Sequence, residues 1–218
     1  TTGELPTVGQ QAPDFSLVRE DLSALTLNDF KGTNLILNIF PSVDTPTCAA
    51  SVRAFNQRAA AMENTKVVCV SRDLPFAQKR FCGAEGIENV VNASDFAAGT
   101  FGKTYGIEMA NGPLQALHAR AVVVIDANGI IKHTELVGEI ADEPNYDAAL
   151  AVLETISAQV KGASFPAQAP ADRVGGEAAA AEARAARSGC RCSARPRAAR
   201  PRPPPRAAAR AARARSRR

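Results

Sequence analysis

The residues of this 218-residue chain best suited to chemistry are five cysteines and two histidines: Cys48, Cys69, Cys82, Cys190, Cys192, His118 and His133. Cys48 has the most informative surroundings. Ahead of it, residues 35–40 form an uncharged run, Leu-Ile-Leu-Asn-Ile-Phe, with the length and β-branched content of a strand buried on both faces. Pro41 stops that run, and Ser42, Asp44, Thr45, Pro46 and Thr47 supply turn chemistry. Behind it, residues 49–57 have helical composition, with apolar side chains at Val52 and Phe55. This order places Cys48 in the first turn of a helix, at the end of a central strand. Unsatisfied N–H groups and the positive end of the helix dipole gather there and favour a thiolate, the reactive form of cysteine. An inert, buried thiol is the competing reading, since most free cysteines are core residues. For Cys69, inside the apolar run 65–71, the core reading is the expected one.

Dithiol exchange at a helix start uses Cys-x-x-Cys. Here Thr45 holds the first of those positions. That leaves a lone nucleophilic cysteine with a hydroxyl three residues upstream, able to donate to the thiolate or to an oxygen of a bound substrate. On the residues alone both roles stay open. His118 and His133 belong to no motif and read as structural or exposed, which weighs against Cys-His protease chemistry. Cys190-Arg191-Cys192 is a weak metal or oxidation signal.

Around this stretch, strands and helices alternate. Residues 1–13 read as a loosely ordered lead-in and 14–18 as a short strand. The Cys48 helix is expected to run to about Glu63, with Asn64 as its stop. Residues 65–71 read as a second buried strand. Asp73 is the candidate N-cap of a helix that has Pro75 in its first turn, carries Cys82 and breaks near Gly83 or Gly86. A short strand at Val90 and Val91 and a short helix over 95–106 follow. Residues 121–126 form a third buried strand, Asn128-Gly129 turns a hairpin, and residues 130–136 return antiparallel. An amphipathic helix closes the body from about Pro144 to Lys161. The pattern predicts an α/β fold, a central mixed β-sheet with helices on both faces. Cys48 then lies at the carboxyl end of a central strand, where such sheets bind ligands.

The charge divides the chain in two. Residues 1–161 carry 12 Lys and Arg against 19 Asp and Glu, a net of −7, and residues 162–218 carry 14 Arg against 3 acids, a net of +11. We read 1–161 as the folded domain. The Ala, Arg and Pro of 162–218 read as a disordered basic tail, because so few large apolar side chains cannot offset the chain entropy. A basic arm for nucleic acid or anionic surfaces, a tail with no role, and an out-of-frame reading of a GC-rich gene are three origins for it. No window is long and apolar enough to cross a bilayer, and the polar N-terminus shows no signal-peptide pattern. The odd, irregularly spaced cysteines do not form a secreted disulfide framework. The cytoplasm is the expected compartment, and no membrane partner is expected.

Phe40-Pro41-Ser42-Val43-Asp44-Thr45-Pro46-Thr47-Cys48 resembles the peroxiredoxin active-site motif, Pro-x-x-x-Thr-x-x-Cys. Residues 71–83 are similar to the resolving-cysteine helix of the bacterial thiol peroxidases, atypical two-cysteine peroxiredoxins of the thioredoxin-like superfamily. Residues 119–126 are similar to the strand bearing that subfamily's active-site Arg. The resemblance covers about residues 5–160 and implies a thioredoxin-like fold. It implies that Cys48 is the peroxidatic cysteine, attacking the terminal peroxide oxygen and becoming a sulfenic acid. Thr45 would orient thiolate and peroxide. Arg120 would stabilise the thiolate and the leaving oxygen, and Pro41 would cover the pocket and exclude water. Cys82 would resolve the sulfenic acid to an intramolecular disulfide, which thioredoxin reduces. The resemblance further implies peroxide substrates, no metal or organic cofactor, and a homodimer formed through the surface around the site. One departure is expected: the family's N-terminal β-hairpin, before the first helix-bearing unit, is absent or truncated here.

A disulfide needs Cα atoms about 4.4–6.8 Å apart. If the fold holds Cys48 and Cys82 farther apart, one or both helices must unwind locally during turnover. Cross-linking residues 34 positions apart is worth roughly 3–4 kcal/mol in the chain-entropy model, enough to hold an opened form. The function read from the chain is therefore a thioredoxin-recycled peroxidase for hydrogen peroxide and alkyl hydroperoxides. One alternative is a redox sensor or relay working through the same cysteines. Another is a nucleic-acid-binding protein driven by the tail, against which stand the acidic body and the lack of interleaved aromatics in the tail.

Overall fold

The computed structural model describes residues 1–162, so the basic segment read over 162–218, with Cys190 and Cys192, lies outside the described residues apart from Gly162. In chain order the elements are β1 (Ser16–Arg19), β2 (Ala24–Thr26), a 3-10 turn (Leu27–Phe30), β3 (Asn34–Ile39), α1 (Pro46–Ala59), β4 (Thr65–Ser71), α2 (Pro75–Glu85), β5 (Val91–Ser94), α3 (Phe101–Thr104), β6 (Ala121–Ile125), β7 (Ile131–Leu136) and α4 (Tyr146–Gly162). The seven strands form one mixed sheet in the order β2-β1-β5-β4-β3-β6-β7. β3 lies parallel to β4 and antiparallel to β6, and all six of its residues are buried. A run apolar on both sides of the pleat is stable only with packing on both faces, which places it mid-sheet.

Alternation along β3 divides the core. Leu35, Leu37 and Ile39 face a layer with Phe15, Leu17, Leu25, Phe101 and Tyr105, and Ile36 and Phe40 face one with Val52, Phe55, Leu153 and Ile156. So α1 and α4 pack on one face, and α3 with the segments before β3 on the other. The mixed sheet with helices on both faces is therefore as the sequence predicts. A large side chain such as Phe55, wholly buried at this seam, stabilises the packing by about 3–5 kcal/mol relative to Ala.

Several boundaries differ from expectation. α1 ends at Ala59, and Asn64 sits in the left-handed region at φ 47°. The helical composition of residues 60–63 yields to register: the Asn34 N–H donates to the Asn64 carbonyl, which starts β4 beside β3. The expected helix over 95–106 contracts to α3, because the Asp95 carboxylate accepts from the N–H groups of Phe101 and Gly102 and loops the chain between. The lead-in is tied down. Gly9 donates to Ile131, Ile131 to Gln10 and Ala12 to Gly129, so residues 9–12 run along the β6–β7 hairpin. Ahead of β3, residues 16–26 pair as the hairpin β1–β2.

Candidate active site

Pro75 opens α2 and Pro46 opens α1, each supplying the fixed φ that a first helical turn accepts. Thr45 is the N-cap of α1, which leaves Cys48 in the first turn directly beyond the end of β3. The Cys48 sulfur is fully buried. Its polar neighbour comes from across the sheet. Arg120, immediately ahead of β6 and 2% exposed, donates from Nη2 to Cys48 Sγ at 3.4 Å and to the Ile140 carbonyl at 2.9 Å. Arg120 Nε and Nη1 are also buried and have no partner among the described residues. A buried guanidinium with unspent donors is costly unless something accepts from them. The site therefore holds fixed positive charge and free N–H groups beside a sulfur, an arrangement that receives an anion or a polarised oxygen.

Pro41 is buried at the end of β3, and Thr45 is exposed. The Thr45 hydroxyl donates to the Ser42 carbonyl at 3.2 Å. The structure thus brings Arg120 to Cys48 and keeps Pro41 within the same turn, while Thr45 spends its proton inside its own loop. Beneath Cys48, Ser51 Oγ donates to the Cys48 carbonyl at 2.8 Å and accepts from Asn38 Nδ2 at 3.3 Å. Asn38 also reaches Cys69 Sγ. Burial pushes the Cys69 thiol up to about 12, which suits the expected core role.

Cys82 lies elsewhere. It is 8% exposed, and its sulfur accepts from Asn92 Nδ2, on β5. Burial pushes its thiol up to about 11, against the opposing hydrogen bond from Asn92, with the Glu20 carboxylate adding to the rise. Its neighbour strand β5 is separated from β3 by β4. Cys48 follows β3 and Cys82 lies against β5, so the two cysteines sit on separate helices, α1 and α2, over different strands of the sheet.

Two features were missed by sequence reasoning. Asp73 does not cap α2; the N-cap is Leu74. The Asp73 carboxylate instead binds Ser42, Val43 and Ser71. His118 is fully buried and lies against Asp95 at 3.2 Å, beside the Arg72 ion pair with Glu108. Burial raises Asp95, but hydrogen bonds from His118, Phe101 and Gly102 outweigh it and hold the carboxyl below its ordinary value. The signal for Asp73 was present as a Ser-x-Asp spacing, Ser71 to Asp73, which is also a common turn pattern. Nothing local marked Arg72, Asp95, Glu108 and His118 as neighbours.

The chain matches the Redoxin family model over residues 7–150. It is 60% identical over 153 residues to the thiol peroxidase of Mycobacterium tuberculosis, covering 70% of this chain and 92% of that one. It is 56% identical over 153 residues, with the same coverage, to the thiol peroxidase of Corynebacterium glutamicum. Among solved structures it is similar to a peroxiredoxin-like protein from Aquifex aeolicus, with a TM-score of 0.68 at 39% identity over 71% of this chain and 90% of that one.

Proposed function

Because the chain belongs to the Redoxin family and is a thiol-dependent peroxidase like its relatives, we propose that Cys48 is its peroxidatic residue and Cys82 its resolving residue. The observation that carries this reading is the guanidinium of Arg120, 3.4 Å from Cys48 Sγ with two buried nitrogens free to donate. In the first step the Cys48 thiolate attacks the terminal oxygen of a hydroperoxide. The O–O bond breaks, sulfur gains the hydroxyl, and the other oxygen leaves as an alkoxide or hydroxide that takes up a proton. Arg120 Nε and Nη1 donate to the peroxide oxygens as that charge develops. Pro41 keeps the turn closed against water, and Thr45, after a rotation of its hydroxyl, orients the peroxide. In the second step the Cys82 thiol condenses with the Cys48 sulfenic acid, releasing water and forming a disulfide. In the third, a thioredoxin dithiol reduces that disulfide and is itself oxidised to a disulfide.

Residues 1–161 are the catalytic unit in this reading, and 162–218 add no group to the chemistry. The partner surface for a homodimer is the exposed apolar set Leu74, Phe76 and Phe96, which follow the carboxyl ends of β4 and β5. No helix among the described residues is long and apolar enough to cross a membrane, and we place the enzyme in the cytoplasm, where thioredoxin is available. The test is peroxide consumption coupled to thioredoxin, thioredoxin reductase and NADPH. Wild type is expected to turn over, Cys48→Ser to be inactive, and Cys82→Ser to react once and stall. A wild type that reacts once but is not recycled by thioredoxin would favour the sensor reading, and a Cys48 that never reacts would overturn the assignment.

A further inference from the structure

The segment leading into Cys48 and the helix bearing Cys82 are joined through one carboxylate. Asp73 Oδ1 accepts from Ser42 Oγ at 2.7 Å, and Oδ2 accepts from the Val43 N–H at 2.7 Å and Ser71 Oγ at 2.8 Å. Ser42 and Val43 sit in the turn that carries Thr45 and opens α1. Asp73 itself is the last residue before the Leu74 N-cap of α2. Its position is fixed in turn: Ser94 Oγ donates to its carbonyl, and Gln78 Nε2 joins Ser71 Oγ to the Ala93 carbonyl.

Other links between the two regions are weaker. Arg80 pairs with Asp44 at 3.5 Å and Arg53 with Glu85 at 2.7 Å. All four of these side chains are about a third exposed or more, and solvent screens such pairs until they contribute little. Three hydrogen bonds to one half-buried carboxylate are each stronger than that.

We propose that Asp73 is a positioning residue that sets the balance between two arrangements of this enzyme. With the carboxylate clamped on Ser42 and Val43, the turn before Cys48 is closed and the Cys48–Arg120 pair is assembled for peroxide. Releasing the clamp frees that turn and the root of α2 together, and these are the segments that lead into the helices bearing Cys48 and Cys82. The proposal rests on the reading of Cys48 and Cys82 given above.

The test is Asp73→Asn, whose amide keeps the shape but turns an N–H toward at least one of the donors. The chain has no Trp, so the two steps are read by rapid quench, thiol alkylation and mass spectrometry after a single addition of hydrogen peroxide. Asp73→Asn is expected to slow oxidation of Cys48 by at least about tenfold. It is expected to speed the following disulfide step, and so to lower the fraction of Cys48 driven on to sulfinic acid by excess peroxide. Arg80→Ala should leave both rates within about twofold, since its pair is exposed. Ser94→Ala removes the bond to the Asp73 carbonyl and spares the carboxylate clamp, so it reports what loss of packing alone does.

Two rates that both stay at wild-type values in Asp73→Asn would overturn the proposal, as would two rates that fall together in the manner of Ser94→Ala. Cys82→Ser separates the levels. If it still converts the Cys48 sulfenic acid to a disulfide at the normal rate, through a different cysteine, the resolving assignment fails and the proposal falls with it. If it stalls while Asp73→Asn changes neither step, only the proposal fails.

Discussion

Cys48 and Cys82 are both buried cysteines near the start or middle of a helix, yet their surroundings differ in kind. Cys48 meets a cation, and Cys82 meets a neutral amide. The first environment sets a guanidinium, with two further buried N–H groups free to donate, beside the sulfur. The second holds a thiol in its protonated form, with burial raising it to about 11. In the proposed reading the difference separates a site that reacts where it stands from one that stores a protonated thiol until the second step.

The comparison breaks most sharply at Arg120. Arg120→Ala should slow the second-order oxidation of Cys48 by about 10²–10³-fold, the range for loss of a buried donor to a developing oxyanion. Alkylation of Cys82 in the same variant should be unchanged. Arg120→Lys should fall between, because an ammonium offers a point charge without the planar fork. Equal loss at both cysteines would mean that the guanidinium serves the fold rather than the site.

The pH dependence of the disulfide step sharpens the same contrast. If Cys82 attacked from its buried position, the rate would climb about tenfold per pH unit up to about 11. If it is first released, it titrates near the ordinary thiol value of 9.0, and the rate should level off there. Our account predicts the plateau near pH 9, which separates the two cases by about 10²-fold at pH 11, readable by rapid quench.

Stability offers a third and smaller reading. Above pH 9 the unfolded chain loses the Cys82 proton while the folded chain keeps it until about 11, so the native state binds more protons and stability falls as pH rises through that window. One such group contributes a slope of about 1.4 kcal/mol per pH unit, and Cys69, raised to about 12, steepens it. Denaturant midpoints should be insensitive to these two groups below pH 9. Cys82→Ala should flatten the decline between 9 and 11. The smallest effect is expected from Asn92→Ala. Removing its hydrogen bond takes away the influence that lowers Cys82, so the thiol should titrate higher, by no more than about one pH unit; thiol ultraviolet absorbance would show it.

Much of this layout could be read from residue order. The uncharged run before Pro41 is β3, residues 65–71 are β4, and Asn128-Gly129 does turn the hairpin between β6 and β7. These were legible because burial on both faces and positive backbone φ, 83° at Gly129, demand particular residue types. The contact between Cys48 and Arg120 came from resemblance, since 72 residues separate them and nothing local ties them together. Asp73 was noticed for the wrong reason. An acidic residue ahead of a Pro-led helix looks like a cap, and only the packed structure shows its carboxylate turned toward Ser42 and Val43. The end of α1 was hidden because strand register across the sheet decides it, and the shortness of α3 because the Asp95 side chain, rather than a helical turn, takes the Phe101 and Gly102 N–H groups.

The central claim is that peroxide oxidises Cys48 in place and that Cys82 then comes to it. Its most direct test is a disulfide map. Reduced protein is treated with one equivalent of hydrogen peroxide, free thiols are alkylated at low pH, and the peptides are identified by mass. The account predicts a Cys48–Cys82 disulfide within one chain, with Cys69 alkylated as a thiol. Recovery of Cys48 as an unmodified thiol, or of Cys82 joined to a different cysteine, would contradict it.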